Sequence, residues 1–143
     1  MNDSNPQVVI VPCSGIGKAY GTVAREAGYE LCDALRPDAT ILVALSKLVL
    51  GDAQARDRVR RCPAVTIDGC KLMCAAKLVK HNGGATAREV AVLDVFRQHK
   101  DLKPEGIAEL NAKGQQLARL IAEEIATFID DLGRRRLPGG HHA

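Results

Sequence analysis

The sequence predicts a small three-layer α/β protein, in which a mostly parallel, doubly wound sheet of about four strands carries helices on both faces. Short apolar runs alternate with helical stretches along the chain, and this alternation favours a parallel sheet. The apolar runs are continuous, which is typical of strands buried on both faces. A length of 143 residues with 46% hydrophobic residues predicts a single α/β domain over 1–143.

The elements can be predicted in order from these patterns. The first strand covers 8–11 and ends at Pro12-Cys13. A tight turn over 14–17 leads into a helix over 18–35, whose apolar residues recur at helical spacing. A Pro-Asp pair stops that helix, and the second strand is expected over 40–44.

The next apolar segment, 45–51, is either a loop or the first turn of a helix. A charged helix is expected over 52–61 and a third strand over 63–67. The helix that follows includes Leu72 and ends at Asn82-Gly83-Gly84.

The fourth strand is predicted over 89–95, followed by a loop that contains His99 and Pro104. An amphipathic final helix spans 117–132. Residues 137–143 are expected to be a disordered tail.

Three of the five cysteines are predicted to meet at one edge of the sheet. Cys13 ends the first strand and Cys70 follows the third, so both lie at the carboxyl edge. Cys74 is expected one helical turn beyond Cys70 on the same helix face, about 6 Å along the axis. The three thiols converge if the strand order is 2-1-3-4. Cys32 and Cys62 fall at the opposite edge, as packed or incidental thiols.

Converging thiols suit a soft metal ion. Catalytic zinc usually has three protein ligands and one open position, which matches Cys13, Cys70 and Cys74. The fourth position is expected to hold water or a side chain. The candidates for a fourth ligand or a supporting residue are His99, Asp94, Ser46 and Asp68. Asp68 can instead accept hydrogen bonds from amides of the turn. Zinc is the expected cofactor, and an iron–sulfur cluster is the alternative.

Two other functions remain open. In the first, the protein is a thiol-redox or sulfur-transfer protein in which Cys13 or Cys70 is a nucleophile of low pKa and Cys74 resolves the intermediate; a helix N-terminus would lower the pKa of these thiols. In the second, it is a structural or regulatory module, forming a homo-oligomer through the C-terminal helix.

The loop after the first strand is a candidate anion site. Backbone amides near Ser14, Gly15 and Gly17 could bind a small anionic or thiol ligand. The phosphate-loop pattern itself fails, because Pro12 and Ala19 stand where it needs a glycine and a hydroxyl residue.

Composition excludes some partners. With two Phe, two Tyr and no Trp, base stacking is not available, so no nucleic-acid partner is expected. The first apolar run is too short for a membrane span or a secretion signal. We therefore expect a cytoplasmic protein with reduced cysteines and no membrane partner.

The segments Cys13-Ser14-Gly15 and Asp68-Gly69-Cys70-Lys71-Leu72-Met73-Cys74-Ala75 together resemble the DGC family of bacteria and archaea, named for its Asp-Gly-Cys motif. The resemblance covers the first two thirds of the chain and implies a metal-binding, zinc-type protein with four ligand cysteines. Cys13, Cys70 and Cys74 match three of them. The remaining one would follow the second strand, where this chain has Val43-Ala44-Leu45-Ser46.

Overall fold

The computed structural model describes residues 7–13 and 18–136. Its elements, in chain order, are β1 (Val8–Pro12), α1 (Ala19–Tyr29) with a π-helical continuation (Glu30–Leu35), β2 (Thr40–Leu42), α2 (Leu45–Leu50), α3 (Ala53–Arg61), β3 (Ala64–Asp68), α4 (Cys74–His81), β4 (Thr86–Ala91), α5 (Val92–Gln98) and α6 (Ala112–Arg136). The predicted anion-binding residues Ser14, Gly15 and Gly17 and the predicted tail 137–143 lie outside the described residues.

The four strands form one parallel sheet in the order β2-β1-β3-β4. This is the predicted fold class, and the strand order is the one that convergence of the three thiols requires. Helix α1 packs on β1 and β3 and is covered by α6, whereas α4 packs on β3 and β4 beside α2. Right-handed crossovers place α1 and α4 on opposite faces. The winding direction reverses between β1 and β3, and sites in such folds form beyond the carboxyl ends of these strands.

The core is built on the two central strands. Every residue of β1 and β3 is buried, which explains their continuous apolar runs. On α6, Leu117, Ile121 and Ile125 are at most 1% exposed. The apolar face that suggested a dimer through the C-terminal helix is therefore packed within the chain.

The predicted bounds of the fourth strand were wrong. Strand β4 covers Thr86–Ala91, and the residues expected to continue it form α5 instead. Strand β4 is an edge strand with exposed charged residues such as Arg88 and Glu89, so it lacks a continuous apolar run. Val92, Val95 and Phe96 recur at intervals of three and four, which is helical spacing.

The other boundaries differ by a few residues. Strand β2 ends at Leu42, although the Val43 amide still donates to the Ile10 carbonyl across 2.9 Å. The apolar segment after it is helix α2, which begins at Leu45. None of the helices described is both long enough and apolar enough to cross a membrane.

Candidate metal centre

The first thiol is held directly against the second thiol-bearing turn. Pro12 pairs with Ile67 in the register of β1 and β3, and the Cys13 amide donates to the Ile67 carbonyl across 2.9 Å. The Gly69 amide in turn donates to Cys13 Sγ across 3.1 Å. Cys13 is 8% exposed. The pairing of the central strands therefore brings the ends of both motifs together.

Cys70 and Cys74 do not share a helix face, contrary to the prediction. Helix α4 begins only at Cys74, and Cys70 lies in a turn closed by the Met73 amide, which donates to the Cys70 carbonyl across 3.2 Å. Met73 interrupts any helix there, because its backbone is left-handed, with φ 54° and ψ 49°. Both thiols are exposed.

Asp68 fixes the start of α4. Its side chain is buried, and its carboxylate oxygens accept hydrogen bonds from the Ala75 amide at 2.7 Å and the Ala76 amide at 3.2 Å. Burial raises the pKa of Asp68, while these two amides oppose the rise. The expectation that Asp68 binds amides of the turn is confirmed. With both oxygens engaged, Asp68 holds the first turn of α4, which begins at Cys74.

Gly69 lies where α1 crosses the end of β3. A Cβ atom at this position would lie 2.6 Å from the Gly21 amide nitrogen and 2.7 Å from the Tyr20 carbonyl carbon. Real Cβ atoms essentially never come this close to another heavy atom. The three residues of the Asp-Gly-Cys motif therefore have different roles. Asp68 caps α4, Gly69 leaves room for the backbone of α1, and Cys70 exposes a thiol.

The electrostatics of the three thiols are linked. Burial raises the pKa of the Cys13 thiol, the Gly69 amide opposes the rise, and negative charge on Asp68, Cys70 and Cys74 adds to it. The negative groups act on Cys13 because all of them lie at this edge. The start of α4 was expected to lower the pKa of the thiols. Its Ala75 and Ala76 amides instead donate to the Asp68 carboxylate, which places a negative charge at the start of the helix.

The two candidate ligands that follow β4 lie on helix α5 or directly after it. Asp94 belongs to the first turn of α5 rather than to a strand, pairs with Arg97 at 3.0 Å, and lines a groove of about 340 Å³ together with Lys71 and Met73. His99 follows α5, whose 7 residues separate it from the end of β4. Their roles as ligands stay predictions.

Ser46 and the two remaining cysteines lie at opposite edges of the sheet. Ser46 is exposed on α2, at the carboxyl end of β2. Cys32 lies beside Thr40, where β2 begins, and Cys62 directly precedes β3. The prediction that these two thiols lie at the opposite edge of the sheet is confirmed.

The donor set has the chemistry of a soft-metal site, since three thiols end at one edge. Among the described residues, however, no three Cys, His, Asp or Glu side chains lie close enough together to hold a metal ion. Sequence reasoning missed the left-handed backbone of Met73, the residue directly before α4. It also missed the close approach at Gly69, for which glycine at a strand end was the available signal.

Comparison with known proteins identifies the family of the chain. The sequence model of the DGC domain matches residues 9–125, which include both thiol-bearing turns. No curated protein and no solved structure matches the chain significantly. Because the match covers most of the sequence, the chain belongs to the DGC domain family.

Proposed function

We propose that this protein binds a soft metal ion, zinc in the first place, through Cys13, Cys70 and Cys74 at the carboxyl edge of β1 and β3. The observation that carries the proposal is the hydrogen bond from the Gly69 amide to Cys13 Sγ. It joins the two thiol-bearing turns at the point where the winding of the sheet reverses, which is where doubly wound folds bind ligands.

The chain's own residues have distinct parts in this proposal. Cys13 is the rigid ligand, because it is buried and its strand is bonded on both sides. Asp68 holds α4, and with it Cys74, at the end of β3. Cys70 lies in the exposed turn between them and is the ligand that can approach last.

A three-thiol site leaves one coordination position for water, a small anionic or thiol ligand, or a side chain such as Asp94. A bound zinc ion would supply Lewis acidity at that position. The adjoining groove is lined by Lys71 and Arg97 and also by Glu89 and Asp94, and Asp94 pairs with Arg97. These formal charges cancel, so the groove does not by itself select the charge of a ligand. A cytoplasmic location, where thiols stay reduced, is part of the proposal.

The thiol-redox alternative has less support. A nucleophilic cysteine needs a lowered pKa, whereas burial raises the pKa of Cys13. The alternative therefore depends on Cys70, with Cys74 as the resolving thiol. Alkylation of the metal-free protein against pH would favour it if one cysteine reacted fast near neutrality.

Elemental analysis of protein purified without chelator tests the proposal. His141 and His142 are replaced with Ala, so that they contribute no metal. We expect about one zinc ion per chain, which Cys70→Ser should lose. The matched control is Cys62→Ser, because that thiol is half-buried at the opposite edge, and it should retain the metal. Equal metal content in Cys70→Ser and the parent would contradict the proposal, and a brown protein with visible absorption would indicate an iron–sulfur cluster instead.

A further inference from the structure

The turn between Gly69 and Cys74 is pinned at both ends. At its start, the Gly69 amide bonds to Cys13 Sγ, and the Gly69 backbone lies against α1. At its end, the Ala75 and Ala76 amides bond to the buried Asp68 carboxylate. The two pins lie at the end of β3 and at the start of α4, so the backbone between them, residues 70–73, is the part of the turn that these bonds leave free to move. We call these residues the strap.

The strap is exposed and holds backbone strain. Lys71 is exposed and Leu72 has 61% of its surface exposed. Met73 has φ 54° and is the one non-glycine residue with positive φ in the part of the chain that the structure describes. A residue with a Cβ disfavours this conformation, and such strain concentrates at functional sites.

We propose that the strap is a closing device: it is strained in the metal-free chain and gives up the left-handed conformation of Met73 when Cys70 and Cys74 close on a metal ion beside Cys13. The inference rests on the proposed function. The pins hold both ends of the strap, so a movement of its backbone on closure falls between them, and Met73 is the residue there whose strain such a movement can relieve. Relief of the strain then adds to the metal affinity.

Comparison of Met73→Gly with Met73→Ala tests the device. Both variants lose the methionine side chain, but only glycine adopts the left-handed conformation without strain. Metal-free Met73→Gly should therefore melt at a higher temperature than metal-free Met73→Ala. In competition with a chromophoric zinc chelator, Met73→Gly should bind zinc roughly tenfold more weakly than Met73→Ala, because the left-handed penalty is on the order of the 1.4 kcal/mol that corresponds to a factor of ten.

Trypsin digestion of the unmodified chain gives a second measurement that needs no variant. Zinc should slow cleavage after Lys71, which lies in the strap, and leave cleavage after the exposed Lys100 unchanged. Equal zinc affinities of the two Met73 variants, or equal cleavage after Lys71 with and without zinc, would overturn the closing device while leaving the metal site in place. A parent protein that binds no zinc would instead overturn the proposed function, and this inference with it.

Discussion

Substitution of Gly69 with Ala tests the explanation of the Asp-Gly-Cys motif most directly. The added Cβ would lie 2.6 Å from the Gly21 nitrogen, against 3.4 Å for an ordinary contact, so α1 would have to move by about 0.8 Å. The obstacle is helix backbone rather than a flexible side chain, so the cost belongs at the upper end of overpacking, about 3 kcal/mol. At about 2–4 °C per kcal/mol for a chain of this size, the melting temperature should fall by roughly 6–12 °C.

The assay is thermal unfolding followed by circular dichroism, with urea titration as a second measure of the free energy of unfolding. Gly133→Ala is the matched control, because it is the same substitution within α6, where a new Cβ meets no atom within 4 Å. That variant should gain about 0.5–1 kcal/mol, since alanine is the better helix former. If Gly69→Ala melted within about 2 °C of the parent, the close approach of α1 would not explain this glycine.

Three further substitutions test the supports around the site. Asp68→Ala should lower the free energy of unfolding, measured by urea titration, by about 2–4 kcal/mol, because it removes the cap of α4 and leaves two buried amides unpaired. A loss under about 1 kcal/mol would contradict the capping role. Thr66→Val should gain about 1 kcal/mol by calorimetry, because the buried hydroxyl has no hydrogen-bond partner among the described residues; a destabilised variant would refute this. Arg36 holds the pKa of Asp130 below its usual value through bonds of 2.7 and 2.9 Å. A lowered folded pKa stabilises the fold above the ordinary carboxyl pKa, and this stabilisation is lost as the pH falls through the folded value. Asp130→Asn should therefore lower the free energy of unfolding by at most about 1 kcal/mol near neutral pH, since both side chains are partly exposed. In strong acid it should not change the free energy of unfolding, and an equal loss at both pH values would count against the ion pair.

Much of the fold could be predicted because its signals are local. The buried runs of β1 and β3 are recognisable as strands without any knowledge of their neighbours, and alternation with helices implies parallel pairing. The edge strand β4 was misplaced because its exposed residues are charged and the apolar residues after it belong to a helix. Its limits depend on which side chains find the core, and this is a property of the packed chain.

The candidate site divides in the same way. That Cys13, Cys70 and Cys74 lie at one edge, and Cys32 and Cys62 at the other, follows from the order of residues, because parallel strands deliver their ends to a common edge. The role of Asp68 could also be expected, because the Ala75 and Ala76 amides that it accepts from are only 7 and 8 residues further along the chain. The left-handed backbone of Met73 had no signal in the sequence, since residues with a Cβ disfavour it. The role of Gly69 depends on the backbone of α1 at Tyr20 and Gly21. A close approach of this kind is set by long-range packing, which no local pattern of residues encodes.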